Sequence, residues 1–234
     1  MKHAQTILIA DDDANICELV RLYLEKEGFE TVVCFNGEKA LEIYRSGGID
    51  LAVLDIMMPK MDGYEFTKTL RECDNNLPIL MVSAKQLPVD KNKGFAVGTD
   101  DYMTKPFNPL ELTARVKAQI RRFYQYNEPA ADTDIMEISG LEVNGSTHIC
   151  KLYGQELDLT PIEFGIIRLL CKNAGRVVST QEIFETVWGE KYLDSSNTVM
   201  VHIRRLREKM HEKPKNPKFI KTVWGVGYKI EKES

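Results

Sequence analysis

Between Thr6 and about Phe123, short apolar runs alternate with longer amphipathic stretches, and few folds accept that pattern. The apolar runs are Thr6–Ala10, Thr31–Cys34, Leu51–Leu54, Ile79–Val82 and the weaker Tyr102–Thr104. Helical spacing follows each, near Asn15–Glu27, Gly37–Tyr44, Tyr64–Arg71, Val89–Val97 and Pro109–Arg122. In the first, Ile16, Leu19, Val20, Tyr23 and Leu24 fall on one stripe, and Gly28 supplies a stop. Strand-then-helix units in series predict an α/β domain, a five-stranded parallel (βα)5 sheet covered on both faces, over residues 1–123.

The alternation fails over residues 124–134 (YQYNEPAADTD), which lose apolar periodicity and gain Pro, Asp and Asn, as a linker does. Residues 135–234 read differently. Short strand-like pieces with turn residues at Gly140, Asn144-Gly145 and Gly154 precede helical stretches near Pro161–Asn173, Thr180–Trp188 and Ser195–Met210. A glycine-punctuated hairpin, Phe219–Ile230, closes the chain. Helix packed on helix and then a hairpin predicts an α+β winged helix-turn-helix domain.

Charge is distributed unevenly along the 234 residues. The overall balance is −4, yet residues 1–126 carry −3, residues 127–199 carry −7, and residues 200–234 carry +6. Basic charge concentrated on the third helix and hairpin is the footprint expected where phosphates are met. No apolar run approaches the roughly 20 residues of a membrane span, and Asp11-Asp12-Asp13 interrupts any secretory h-region. The expected setting is cytoplasmic, with no membrane contact. Five scattered cysteines, never spaced as C-x-x-C, argue against a disulfide framework or zinc site and read as reduced, structural residues.

In a parallel sheet the ligand site lies beyond the carboxyl ends of the strands. There the sequence places Asp11 and Asp12, Asp55, Ser83 and Lys105. Any one aspartate is ordinary in a solvated turn. Three carboxylates converging on a small volume repel one another and call for a cation, and oxygen-only ligands favour Mg²⁺. Lys105 adds a point charge suited to phosphate, and Ser83 a hydroxyl donor. A carboxylate so placed can be a nucleophile toward a phosphoryl group. A calcium loop starting at Asp11 is excluded, because Ile16 stands where that loop needs glycine and Leu22 where it needs glutamate.

The runs ILIADDD (7–13), VLDIMMPKMDG (53–63), MVSAK (81–85) and DDYMTKPF (100–107) resemble the receiver domain of two-component response regulators. The resemblance implies Asp55 as phosphoacceptor, Mg²⁺ held by Asp11, Asp12, Asp55 and the backbone carbonyl of Met57, and phosphoryl oxygens bound by Ser83 and Lys105. It implies switch residues at Ser83 and Tyr102 and a cis peptide before Pro106, a bond type essentially confined to proline. It also implies a phosphorylation-driven dimer on the face of the helix near 89–97, the fifth strand and the helix after it. There Lys91 would pair with Glu111, Asp101 with Arg115 and Asp100 with Lys117 across a two-fold axis.

In Ser195–Met210, Val199, Ile203, Leu206 and Met210 should pack inward, leaving Thr198, Val201, His202, Arg204, Arg205 and Arg207 as candidates for the outer face, with Arg204 and Arg207 toward the flanks. Arginine reads guanine edges in the major groove and a valine methyl can touch thymine. VHIRRLREKM (201–210), TVWGVGYKI (222–230) and LTPIEF (159–164) resemble the C-terminal domain of the OmpR/PhoB subfamily, which implies a four-stranded sheet near 135–160, a recognition helix at 195–210 and a wing at 219–230. The DNA-contacting positions it implies are Asn197, Thr198, Val201, His202, Arg204, Arg205 and Arg207, with Trp224 on the wing. Asn197 stands where arginine is frequent, and Trp224 replaces an arginine found in many wings. KTVWGVGYKIEK, LTPIEF and NPKFIKTV resemble regulators of the VanR type, associated with glycopeptide resistance.

The function expected is that of a transcription factor switched by phosphorylation. The implied partners are a sensor histidine kinase, double-stranded promoter DNA, RNA polymerase and a second copy of the chain. It is expected not to be an enzyme, beyond slow loss of its own aspartyl phosphate. An aspartyl-phosphate phosphohydrolase would commonly carry a second Asp two residues past the nucleophile, where this chain has Met57. A non-DNA adaptor would have no use for the basic third helix and tail.

Overall fold

The computed structural model describes residues 5–74, 76–84, 98–127, 135–189, 196–213 and 216–232, the side chains of 124–127 and 196–197 excepted. The chain divides into two compact units, Met1–Phe123 and Tyr124–Ser234. In the first, β1 (Thr6–Ala10), β2 (Glu30–Cys34), β3 (Leu51–Asp55), β4 (Ile79–Ser83) and β5 (Asp101–Thr104) form one parallel sheet in the order β2-β1-β3-β4-β5. Helices α1 (Ala14–Lys26), α2 (Gly37–Arg45), α3 (Gly63–Arg71) and α4 (Pro109–Asn127) connect and flank the strands. The helix expected near 89–97 lies outside the described residues.

The three central strands, β1, β3 and β4, are apolar along nearly their whole length because both faces are covered. Ile7, Ile9, Leu51, Val53, Leu80 and Val82 pack with Cys17, Val20 and Leu24 of α1 and Leu112, Val116 and Ile120 of α4. Leu8, Ala52, Leu54 and Met81, on the opposite face, are equally buried. Alternation would have signalled a sheet with one wet face; unbroken runs signal this one. Strand order reverses direction between β1 and β3, which opens a crevice at their carboxyl ends. Asp13 caps α1 there by accepting from the Asn15 N–H at 2.8 Å, so the turn after β1 is fixed with Asp11 and Asp12 inside it.

Helix α4 runs to Asn127, four residues into the segment expected as linker. Nothing before Pro129 breaks a helix, and Tyr, Gln and Asn are tolerated without an apolar stripe. Cys17, Cys34, Cys150 and Cys171 are buried free thiols and Cys73 is exposed; burial pushes the Cys17 thiol up to about 12.

In the second unit, β6 (Ile135–Ile138), β7 (Leu141–Asn144), β8 (Ile149–Leu152) and β9 (Gln155–Glu156) form an antiparallel sheet. Helices α5 (Pro161–Lys172), α6 (Thr180–Trp188) and α7 (Ser196–Lys209) follow. A second sheet has the order β10-β12-β11, from β10 (Val178–Ser179), β11 (Ile220–Val223) and β12 (Gly227–Ile230). Val199, Ile203, Leu206 and Met210 do enter the core. The strand β10 was not foreseen; two residues carry no periodicity. It pins the wing, since a Cβ at Gly227 would lie 2.1 Å from the Val178 carbonyl oxygen.

Candidate functional site

At the crevice, carboxylate oxygens of Asp11, Asp12 and Asp55 lie within 4.8 Å of one another. Asp11 and Asp55 are buried and Asp12 is exposed, so the cluster has one open side. Lys105 reaches over from beyond β5, its Nζ 2.6 Å from Asp11 Oδ2 and 3.0 Å from Asp55 Oδ1. It is the first residue of the cis peptide Lys105-Pro106, and its N–H donates to the Ser83 carbonyl at 2.8 Å. Asp55 Oδ2 accepts from the Met57 N–H at 2.7 Å, while the Met57 side chain is exposed. Ser83 is fully buried at the end of β4, one residue beyond Val82, which lies opposite Asp55.

Burial raises the Asp11 pKa, an effect only partly offset by its hydrogen bond from Lys105 and the Asp13 N–H. Burial alone would push the Lys105 ammonium down; hydrogen bonds to Asp11 and Asp55 outweigh it and hold the value above the usual lysine range. Three carboxylates against one ammonium leave two negative charges, which match a divalent cation held by oxygen donors. Gly63 keeps the floor close: a Cβ there would stand 2.4 Å from the Asp55 carbonyl oxygen.

The described charges of the expected dimer face are paired within this chain. Asp100, Asp101 and Arg115 are buried rather than displayed. Arg115 pairs within its own protomer, with Asp101 at 2.7 Å and Glu111 at 2.9 Å. Asp100 pairs with Arg71 at 2.9 Å and also accepts from the Ile79 N–H, tying the start of β4 to the approach to β5. Lys117 pairs with Glu27 across to the end of α1. Glu111 remains exposed, Lys91 lies outside the described residues, and Tyr102 is buried.

The outer face of α7 needs correction. His202 is fully buried, edge-on to Trp188 at 5.3 Å, and Thr198 is buried. Arg205 turns inward, its Nε 3.3 Å from Glu163, a fully buried carboxylate that also binds Lys209 at 2.7 Å. Arg207 donates to the Ile220 carbonyl and the Thr222 hydroxyl and lies over the Tyr228 ring, so it braces the wing. The buried Glu163 carboxylate outcompetes solvent for Arg205 and Lys209, and the wing does so for Arg207, which helical spacing alone could not reveal. Val201 is half-buried, Arg204 is exposed, and the Asn197 side chain lies outside the described residues. Trp224, at the wing tip, is 90% exposed. Reading the sequence missed Met200, which is half-exposed and one turn before Arg204, and Glu163, whose signal was its place three residues after Thr160 in a capping box.

Comparison with known proteins bears on both units. Residues 7–117 match the response regulator receiver domain, and residues 154–230 match the transcriptional regulatory protein C-terminal family. The chain is 48% identical over 231 residues to regulatory protein VanRc of Enterococcus gallinarum, covering 98% of this chain and 100% of that one. It is 48% identical over 228 residues to VanR of Enterococcus faecium, covering 97% and 98%. Among solved structures, the Thermotoga maritima OmpR/PhoB homologue DrrB aligns at 31% identity and TM-score 0.51, covering 97% of this chain and 99% of that one. A RitR mutant aligns at TM-score 0.75 and 23% identity, over 98% and 100%, a likeness of fold. No helix among the described residues is long and apolar enough to cross a membrane.

Proposed function

The chain belongs to the response regulators of the OmpR/PhoB type, a receiver joined to a DNA-binding transcriptional regulatory domain, and from that premise we propose that Asp55 is its phosphoacceptor. The observation that carries this is the joint seating of Asp55 with Asp11, Asp12 and Lys105. Asp11, Asp12 and Asp55 would hold Mg²⁺ together with the Met57 carbonyl, which when bound supplies charge neutralisation. An Asp55 carboxylate oxygen forms the new bond to phosphorus. The bond from phosphorus to the phosphohistidine nitrogen of a sensor histidine kinase breaks, and that nitrogen keeps the electron pair. Lys105 then exchanges its contact with the Asp55 carboxylate for a phosphoryl oxygen, and the Ser83 hydroxyl donates to another. Tyr102, on β5 two residues before Thr104, which lies opposite Ser83, follows the change. Slow hydrolysis of the aspartyl phosphate resets the switch, and the protein is otherwise no enzyme. These steps belong in the cytoplasm, where the kinase's phosphohistidine and the promoter are both within reach.

Phosphorylation drives a receiver dimer through the β5 and α4 face, and the dimer binds promoter DNA and meets RNA polymerase there. Asp101 and Arg115 are paired and buried, whereas Glu111, paired with Arg115, and Lys117, paired with Glu27, keep exposed side chains and can exchange those partners across the two-fold axis. Arg115→Glu would set a third carboxylate beside Asp101 and Glu111 and confound any test. Glu111→Gln is the cleaner change, because it removes the charge and leaves an acceptor oxygen for Arg115: sedimentation of phosphorylated protein should show the dimer weakened severalfold and the parent dimer loosened by salt. An undiminished dimer places the interface elsewhere.

The wing meets the minor groove through Trp224, flanked by Lys221 and Lys229, which lie directly opposite each other in the β11-β12 ladder. Like charges so placed repel; Lys229 is met by Glu231 at 2.8 Å, and phosphate can meet Lys221. Trp224→Arg should therefore tighten duplex binding and steepen the slope of log affinity against log salt by about 1. An unchanged slope removes the wing tip from the interface.

A further inference from the structure

Among its described side chains, helix α7 shows solvent a narrow set. Met200 is 49% exposed, the Arg204 side chain 77% and the Glu208 side chain 57%, one above the other at successive turns. Thr198 and His202 are buried, Arg205 is held by Glu163, and Arg207 is spent on the wing. We infer that Met200 and Arg204 are the base-reading pair of this domain, Met200 against the C5-methyl of a thymine and Arg204 against a guanine about two base pairs away. The inference rests on the reading that α7 enters DNA.

The chemistry of each base edge selects the assignment. A methionine side chain donates no hydrogen bond, and the one apolar group displayed in the major groove is the thymine methyl. Arginine pairs with the O6 and N7 of guanine. Glu208 accepts from Arg204 Nε at 2.8 Å, which fixes the guanidinium before DNA arrives. Four residues of helix advance roughly 6 Å, against about 3.4 Å per base pair, which sets the spacing. A protein-docking patch would need a contiguous apolar area, whereas Met200 is followed on its face by Arg204 and Glu208, and the segment 200–234 carries +6. Nucleic acid suits that charge.

The test uses the full-length chain and duplexes it selects from a random-sequence pool. In the best duplex each thymine is replaced singly by uracil, which removes only the methyl group. At one thymine the parent should lose about fourfold in affinity, the worth of one buried methyl. Met200→Ala should lose the same on the thymine duplex and be indifferent to uracil at that position. Arg204→Ala should lose its preference for a guanine about two base pairs away. Both side chains are exposed, so the variants keep the fold. Uracil sensitivity that persists in Met200→Ala, or a guanine preference that vanishes with Arg205→Ala and not with Arg204→Ala, overturns the assignment while leaving DNA binding intact. Failure of the parent to select any duplex overturns the DNA reading, and this inference with it.

Discussion

Asp55→Asn is expected to abolish phosphorylation of the chain by acetyl phosphate with Mg²⁺, while the parent gains the mass of one phosphoryl group. In that reaction an Asp55 oxygen bonds to phosphorus as the bond to acetate breaks, and acetate leaves with the electron pair. An amide is nearly the same size as the carboxylate but is a poor nucleophile and carries no charge toward the cation. Its oxygen can still accept from the Met57 N–H, so the turn after β3 survives. Lys105 keeps its 2.6 Å contact with Asp11, which argues that the pocket stays folded. Intact-mass analysis decides the matter, and undiminished modification of Asp55→Asn would move the acceptor to another residue. Asp12→Ala is the companion change: Asp12 is the exposed member of the cluster, so its loss should weaken Mg²⁺ affinity with little effect on stability. An unchanged metal titration would remove it from the ligand set.

The receiver pocket was legible because a parallel sheet turns sequence position into spatial position. The central strands β1, β3 and β4 are nearly unbroken apolar runs, so their carboxyl ends can be found, and residues at those ends converge whatever lies between them. Asp11 and Lys105 are 94 positions apart and still meet at 2.6 Å. The recognition helix was less legible for an equally physical reason. Periodicity located the inward stripe of Val199, Ile203, Leu206 and Met210, but a helix offers flanks on either side of that stripe. Whether an arginine on a flank stays in water depends on what faces it. Glu163, 42 positions before Arg205, faces it from the start of α5. Arg115 is drawn in by the same means, since Asp101 faces it from β5.

Glu163→Ala is expected to cost the second unit about 3–5 kcal/mol, because it removes one partner of a buried ion cluster and leaves the others uncompensated. Glu163 is fully buried, faces Arg205 at 3.3 Å and Lys209 at 2.7 Å, and accepts from the Thr160 N–H at 2.9 Å as half of the capping box. Burial works against its charge, yet the nearby Arg205 and Lys209 cations and the hydrogen bonds from Lys209 and the Thr160 N–H win, and its pKa is lowered from 4.5. A carboxylate depressed on folding stabilises at pH values above its unfolded value, and that stabilisation is lost as pH falls through the lower, folded value. The parent's second unit should therefore weaken below about pH 4.5, and Glu163→Gln should flatten that segment of the profile while retaining the cap's acceptor oxygen. Urea unfolding of the full chain, followed by the fluorescence of buried Trp188 beside His202 of α7, reads the unit in question. If Glu163→Gln matches the parent in both midpoint and pH profile, Arg205 is not held by this carboxylate in solution and its guanidinium is available to DNA.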